Sequence, residues 1–235
     1  MTQQVLVTGG TQGIGRAIAE AFAEAGYQVL ATGIEADLPT DPSAETTLRF
    51  AHLDVQQPEQ IRSLVRQLDR LDVLVNCAGT ILRDGQEFTL DGFEQVLDVN
   101  LTGTMRMCTA CFPLLEQQQG CVLNIASMLS YFGSGHSPAY SSSKGAIVQL
   151  TRSLAIAWAS KQVRVNALAP GWIETNLTKP LYENPERHQQ ILQRTPLGRW
   201  GQPQDVASAA VFLCSAGADF ITGTVLPVDG GYAIA

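Results

Sequence analysis

The stretch Thr8-Gly9-Gly10-Thr11-Gln12-Gly13-Ile14-Gly15 decides the fold. It follows a short β-type run, Val5–Thr8, and precedes a helical apolar pattern over Ala17–Ala25 that stops at Gly26. Glycines at 9, 13 and 15 give a GxxxGxG spacing. Such spacing lets main-chain N–H groups and a helix N-terminus approach a pyrophosphate. A glycine cluster alone is also an ordinary tight turn. Its place after the first strand and before an amphipathic helix favours dinucleotide binding. Gly10 has no required role in this spacing.

Outward from that turn, strand-length apolar runs alternate with helical patterns. Strands are expected at Val29–Thr32, Leu48–Leu53, Val73–Val75, Cys121–Ala126, Val163–Leu168 and Val225–Val228. Helices are expected around Ile61–Leu68, as one long helix from about Phe93 to Leu115, over Ala139–Ala159 and over Val206–Cys214. This alternation predicts an α/β fold: a Rossmann-type doubly wound sheet of seven mainly parallel strands with helices on both faces. Ligands of such sheets bind beyond the carboxyl ends of the strands. No linker or repeat divides the chain, so residues 1–235 are expected to form a single domain. The stretch at about 174–203, rich in proline and charge, is expected to be a substrate lid, with a mobile helix pair over Leu177–Arg194.

Composition narrows the function. The 235 residues are 45% hydrophobic and only 16% charged, which excludes bulk disorder. The net charge of −7 gives no electrostatic footprint for nucleic acid. No apolar run reaches the ~18 residues of a membrane helix, and the start has no basic leader. Five cysteines, Cys77, Cys108, Cys111, Cys121 and Cys214, read as buried thiols of a cytoplasmic protein. The close pair Cys108 and Cys111 lies in an apolar helical stretch, so neither a redox nor a metal role is expected.

Several polar residues stand out. Tyr140 and Lys144 are four apart on one helix face near its N-terminus. A lysine ammonium and the helix dipole both stabilise a phenolate, so Lys144 is expected to lower the Tyr140 pKa. Ser127 ends the fifth strand, on a loop long enough to bring its hydroxyl to that of Tyr140. Asn100 interrupts an apolar helix, so it either faces solvent or serves a polar task inside. Asp54 ends the third strand, as an adenine-amine acceptor or as a turn residue. Asn76-Cys77-Ala78-Gly79 ends the fourth, leaving room for a flat ligand.

Together TGGTQGIG, Asp54, NCAG, Asn100, Ser127, YSSSK and Asn166-Ala-Leu-Ala-Pro170-Gly171 resemble, in order and spacing, the short-chain dehydrogenase/reductase family. The resemblance extends to Val228-Asp229-Gly230-Gly231 and so covers essentially the whole chain. It implies an NAD(P)-dependent oxidoreductase interconverting a secondary alcohol and a ketone. Tyr140 would be the general acid/base, and Ser127 would polarise the substrate oxygen. Lys144 would bind the nicotinamide ribose, and Asn100 would hold a relay water. Gly9, Thr11, Gln12, Gly13, Ile14, Gly15, Gly33, Asp54, Val55, Asn76, Ala78 and Gly79 would surround the dinucleotide. Pro170, Gly171, Ile173 and Thr175 would line its nicotinamide. Two departures occur: Cys77 stands where the family has a second Asn, and Ala126 precedes Ser127 where a second Ser is usual.

Relatives that choose NAD carry Asp at the end of the second strand, which is Gly33 here. Relatives that choose NADP carry a basic residue at positions matching Gln12 or Ile34. A 2′-phosphate needs a cation, and the neighbours are Glu35 and Asp37. NAD(H) is therefore favoured over NADP(H). On the substrate side, Leu129 and Trp172 are expected wall residues, with Ile81, Leu82, Met128, Phe132 and Leu177. Arg83 reads as a carboxylate or phosphate partner or a solvated loop residue. His136 reads as a second polar contact or an exposed loop residue. The partner is expected to be a small carbonyl or alcohol. The resemblance also implies a homo-oligomer, tetramer or dimer. Competing readings are an NADPH-dependent 3-oxoacyl-thioester reductase, an epimerase or dehydratase, and a non-catalytic dinucleotide sensor.

Overall fold

The computed structural model describes residues 2–38 and 47–235. Strands β1 (Gln4–Thr8), β2 (Gln28–Gly33), β3 (Leu48–His52), β4 (Val73–Asn76), β5 (Cys121–Ile125), β6 (Arg164–Pro170) and β7 (Val225–Val228) form one sheet. Their order is β3-β2-β1-β4-β5-β6-β7, and every pairing is parallel. The chain reverses its direction of winding at β1, between β2 and β4. That switch point opens a crevice at the carboxyl ends of the strands.

The central strands β1, β4, β5 and β6 are buried on both sides because both faces are covered. Val5 and Val7 of β1 point to one face with Ile18 and Phe22 of α1 (Gly13–Glu24) and Leu213 of α8 (Pro203–Cys214). Leu6, between them, points to the other face. There it meets Ile61 of α2 (Pro58–Val65), Met107 and Leu115 of α4 (Gly103–Gln118), and Leu154 of α5 (Pro138–Trp158). Two cores thus sandwich the sheet. The five cysteines are free thiols, four of them buried.

Two expectations need revision. The single helix expected from about Phe93 to Leu115 is α3 (Leu90–Leu97) and α4, joined by a π-turn over Asp98–Thr102. The extra residue of a π-turn re-aims one side chain, and here it carries Asn100 inward. Gly10, expected to be dispensable, is tightly enclosed. A Cβ there would lie 2.8 Å from the Ala31 Cβ and 2.9 Å from the Val7 carbonyl oxygen. Beyond β6 lie α6 (Lys179–Tyr182) and α7 (Pro185–Arg194), in the segment expected as a lid.

Gly10→Ala should therefore lower stability by about 1–3 kcal/mol, the usual cost of forcing a methyl into packed backbone. Denaturant unfolding checks this, and an unchanged midpoint would contradict the enclosure.

Candidate active site

The glycine turn sits against the end of β4. A Cβ on Gly9 (φ +63°) would lie 2.8 Å from the backbone of Ala78. One on Gly15 would lie 2.1 Å from the Gly9 carbonyl oxygen. Backbone therefore packs on backbone, and the Gln12 side chain makes no capping hydrogen bond at the N-terminus of α1 among the described residues. Gly13, also at positive φ, faces the Thr175 methyl across the crevice at 3.5 Å from its ideal Cβ. Asn176 Nδ2 donates to Gln12 Oε1 at 3.3 Å, which ties the turn to the segment after β6. These residues fit a dinucleotide: a glycine cradle at a helix N-terminus, walled by Ile14 on one side and Ile173 and Thr175 on the other.

At the outer end of the crevice, Gly33 has room for no side chain. The Glu35 carboxylate fills that space, 2.2 Å from where a Gly33 Cβ would be. It accepts from Thr11 Oγ1 at 2.8 Å and from Gln12 Nε2 at 3.1 Å. The acid missing from the strand end is thus returned from two residues later. Asp54 has the turn role, and its second oxygen leaves the adenine-acceptor role open. One oxygen accepts from Gln56 N at 2.9 Å and closes a turn, while the other has no hydrogen-bond partner among the described residues. Val55 is buried against Gly103. Asn76 departs from expectation. Its amide donates to Asn124 Oδ1 (2.9 Å) and Cys108 Sγ (3.3 Å), so this side chain braces β4 against β5 and α4 inside the core.

A buried polar lattice lies at the ends of β4 and β5. Asn100, 1% exposed, pairs with both backbone groups of Thr80 and donates to Ser143 Oγ at 3.0 Å. Lys144 Nζ donates to the Ile125 carbonyl at 2.7 Å. It lies 5.6 Å from the centre of the Tyr140 ring. A Gly79 Cβ would stand 3.3 Å from Asn100 Oδ1 and 3.7 Å from Lys144 Nζ, so the absence of a side chain at Gly79 lets the backbone after β4 lie close to both groups. Ser127 Oγ accepts from Leu129 N at 3.2 Å, which turns the hydroxyl toward the neighbouring phenol. Ser130 Oγ receives Ser127 N and donates to the Lys144 carbonyl at 2.7 Å, fastening this loop to α5.

The electrostatics correct one expectation. Burial pushes the Tyr140 phenol up to about 12; the Ser127 hydrogen bond opposes this, and Cys77 and Glu87 add to it. Burial pushes Lys144 down to about 8. The protein's own groups therefore raise Tyr140, where a lowering by Lys144 was expected. Both charged forms are desolvated in the same place, and the ammonium is engaged by a carbonyl rather than by the phenol.

Ser127 and Tyr140 open onto a cavity of about 870 Å³. Leu129 and Trp172 line it as expected, with Pro170, Gly171, Ile173 and Thr175 on the crevice side. Arg83 and His136 line it too, and Arg83 also donates to the Leu177 carbonyl across the mouth. Two further cations, Arg187 and Arg194 of α7, were not singled out from the sequence. Arg194 lies 4.2 Å from the Tyr232 ring centre and 5.3 Å from that of Phe132. Helical charge spacing alone reads as a solvated face, and only the fold turns these residues to the cavity. The buried Glu87 was missed for a similar reason.

Known proteins agree with this geometry. The family model described as Enoyl-(Acyl carrier protein) reductase matches residues 9–233. The chain is 40% identical over 236 residues to the 2-dehydro-3-deoxy-D-gluconate 5-dehydrogenase of Bacillus subtilis, covering 97% of this chain and 93% of that one. It is 39% identical over 239 residues to the 3-oxoacyl-(acyl-carrier-protein) reductase of Aquifex aeolicus, covering 96% and 95%. Among solved structures, a gluconate 5-dehydrogenase from Burkholderia cenocepacia in complex with NADP and tartrate superposes with a TM-score of 0.91 at 31% identity, covering 99% and 96%. Sheet order, glycine cradle and these matches converge: the chain belongs to the short-chain dehydrogenase/reductase family and is an NAD(P)-dependent oxidoreductase interconverting alcohols and ketones.

Proposed function

We propose that this enzyme reduces and oxidises a small oxo- or hydroxy-acid of the sugar-acid type, with NAD(H) preferred. The observation that carries the substrate class is the charge of the cavity. In a chain of net charge −7, it gathers Arg83, Arg187 and Arg194 against one carboxylate, Asp84. None of the three arginines pairs with a carboxylate among the described residues. Guanidinium groups bind carboxylates in a two-pronged geometry, so they suit an acidic substrate. The names of several relatives, sugar-acid dehydrogenases, point the same way. A second reading, a 3-oxoacyl-thioester reductase, is favoured by the apolar wall of Met128, Leu129, Phe132 and Leu181.

In this reading Tyr140 gives its phenolic proton to the carbonyl oxygen during reduction and takes it back during oxidation. Ser127 holds that oxygen and polarises it. Lys144 would hold the nicotinamide ribose, and Asn100 keeps the lysine's surroundings polar. A bound dinucleotide would supply or accept the hydride and, when oxidised, would bring a positive charge that favours the phenolate. Glu35 supports the preference for NAD(H): its carboxylate lies beside the glycine turn at the end of β2, where it would repel a 2′-phosphate. The chain works as one domain, with residues 174–203 as its substrate lid. Free, mostly buried thiols fit a reducing cytoplasm. Exposed Phe212, Phe220 and Ile234, and Ile156 on α5, fit burial in a dimer or tetramer.

A substrate panel run with both cofactors tests this. It should span sugar acids, neutral polyols, hydrophobic ketones and 3-oxoacyl thioesters. The sugar acids should give the highest kcat/KM, and Arg194→Ala should raise KM for acids by roughly tenfold while sparing neutral ketones. Highest activity on thioesters would select the second reading. NADH should exceed NADPH by on the order of 10–100-fold in kcat/KM; a preference for NADPH would overturn the cofactor assignment.

Tyr140→Phe should cut turnover by roughly 10²–10⁴-fold or more and leave dinucleotide affinity intact. Retained turnover would remove Tyr140 from its role. Oxidation needs the phenolate, and Tyr140 is pushed up to about 12. Oxidation kcat/KM should therefore climb with pH through neutrality into the alkaline range, while reduction gains nothing. A flat oxidation profile there would contradict the assignment.

A further inference from the structure

Glu87 is 1% exposed, and no cation pairs with it among the described residues. A buried carboxylate is costly unless it is fully hydrogen-bonded. Its two oxygens have separate tasks. Oε2 accepts from the backbone N–H of Tyr140 at 2.9 Å, and Oε1 from that of Leu82 at 3.0 Å. The first N–H is one of the unpaired donors in the opening turn of α5, where an acidic group is stabilised by the helix dipole. The second belongs to the loop that carries Leu82 and Arg83 into the cavity wall. One carboxylate thus joins the helix bearing the acid/base to the loop bearing a substrate contact.

We propose that Glu87 is a positioning residue that ties Tyr140 to the substrate loop and keeps a buried carboxylate beside it. This rests on the reading of Tyr140 as the acid/base. The groups facing Tyr140 are few. Cys77 follows β4, Ser127 ends β5, Glu87 lies on the turn before α3, and Lys144 is on its own helix. Asp84, Arg83, His136, Arg187 and Arg194 share the cavity. Of these, Glu87 alone is a buried carboxylate bonded to the backbone of Tyr140 itself. Its negative charge disfavours a second one on the phenol, in the same direction as Cys77 and against the Ser127 hydrogen bond.

Two variants separate charge from geometry. Glu87→Gln removes the charge and keeps one acceptor, so the midpoint of the oxidation pH profile should fall by roughly 0.5–1.5 pH units. Glu87→Asp keeps the charge but is too short to reach both N–H groups. Its kcat should fall several-fold with the midpoint unchanged and dinucleotide affinity intact. A midpoint unmoved in Glu87→Gln, or moved equally in both variants, would overturn the proposal. If Glu87→Gln does not fold, Glu87→Asp decides: lowered kcat at an unmoved midpoint supports the proposal, and wild-type kcat and KM overturn it. Tyr140→Phe run alongside keeps the two readings apart. If that variant is inactive while Glu87→Gln shows no shift, only the role of Glu87 fails.

Discussion

A buried ammonium needs an acceptor, and Lys144 finds one in the Ile125 carbonyl at 2.7 Å. That bond constrains everything around it. Ile125 is the last residue of β5, so its carbonyl is available only because the strand ends there. Lys144 reaches it only because α5 crosses the strand end one turn after Tyr140. Asn100 fills the remaining polar space, and it does so because the π-turn rotates it inward. Parallel strands, a helix and a helix defect thus meet at one desolvated charge. Apolar replacements would pack as well, which is why so polar a cluster in so hydrophobic a chain marks the site of chemistry.

The fold was legible because its signals are local and periodic. Strand-length apolar runs and helical repeats placed all seven strands to within a few residues. Parallel pairing followed from strands with no polar face. The break in the long helix was not legible. A π-turn changes neither composition nor period enough to show, and only the inward Asn100 hinted at it. Gly10 was misjudged for a related reason. Its constraint is a neighbouring strand, through Ala31, and that contact lies outside the local motif.

The site was legible where a motif fixes both residue type and spacing, as for Ser127, Tyr140 and Lys144. It was not legible where a side chain travels. Glu35 reaches back over Gly33, and a strand-end position read alone shows only a missing acid. Glu87 sits in an exposed-looking loop between charged and polar neighbours, yet it is among the least exposed side chains. Arg187 and Arg194 belong to a helix whose sequence looks wholly solvated. Asn76 differs again: its place in a ligand-binding motif points to the crevice, while its side-chain amide is taken up in a hydrogen-bonded chain through Asn124 to Thr151.

These displaced side chains also order the crevice electrically. At the outer end, Glu35 places negative charge beside the glycine turn. At the inner end, Arg83, Arg187 and Arg194 place positive charge around the cavity mouth. Between them, Tyr140 and Lys144 are buried deeply enough that each resists its charged form. An exposed charge acts over about 8–10 Å before salt screens it, so each end acts on what docks there and not on the other. On the proposed reading, the acidic end would discriminate among cofactors and the basic end would gather an acidic substrate. The net charge of −7 averages over this division, and a docking ligand meets the division rather than the average.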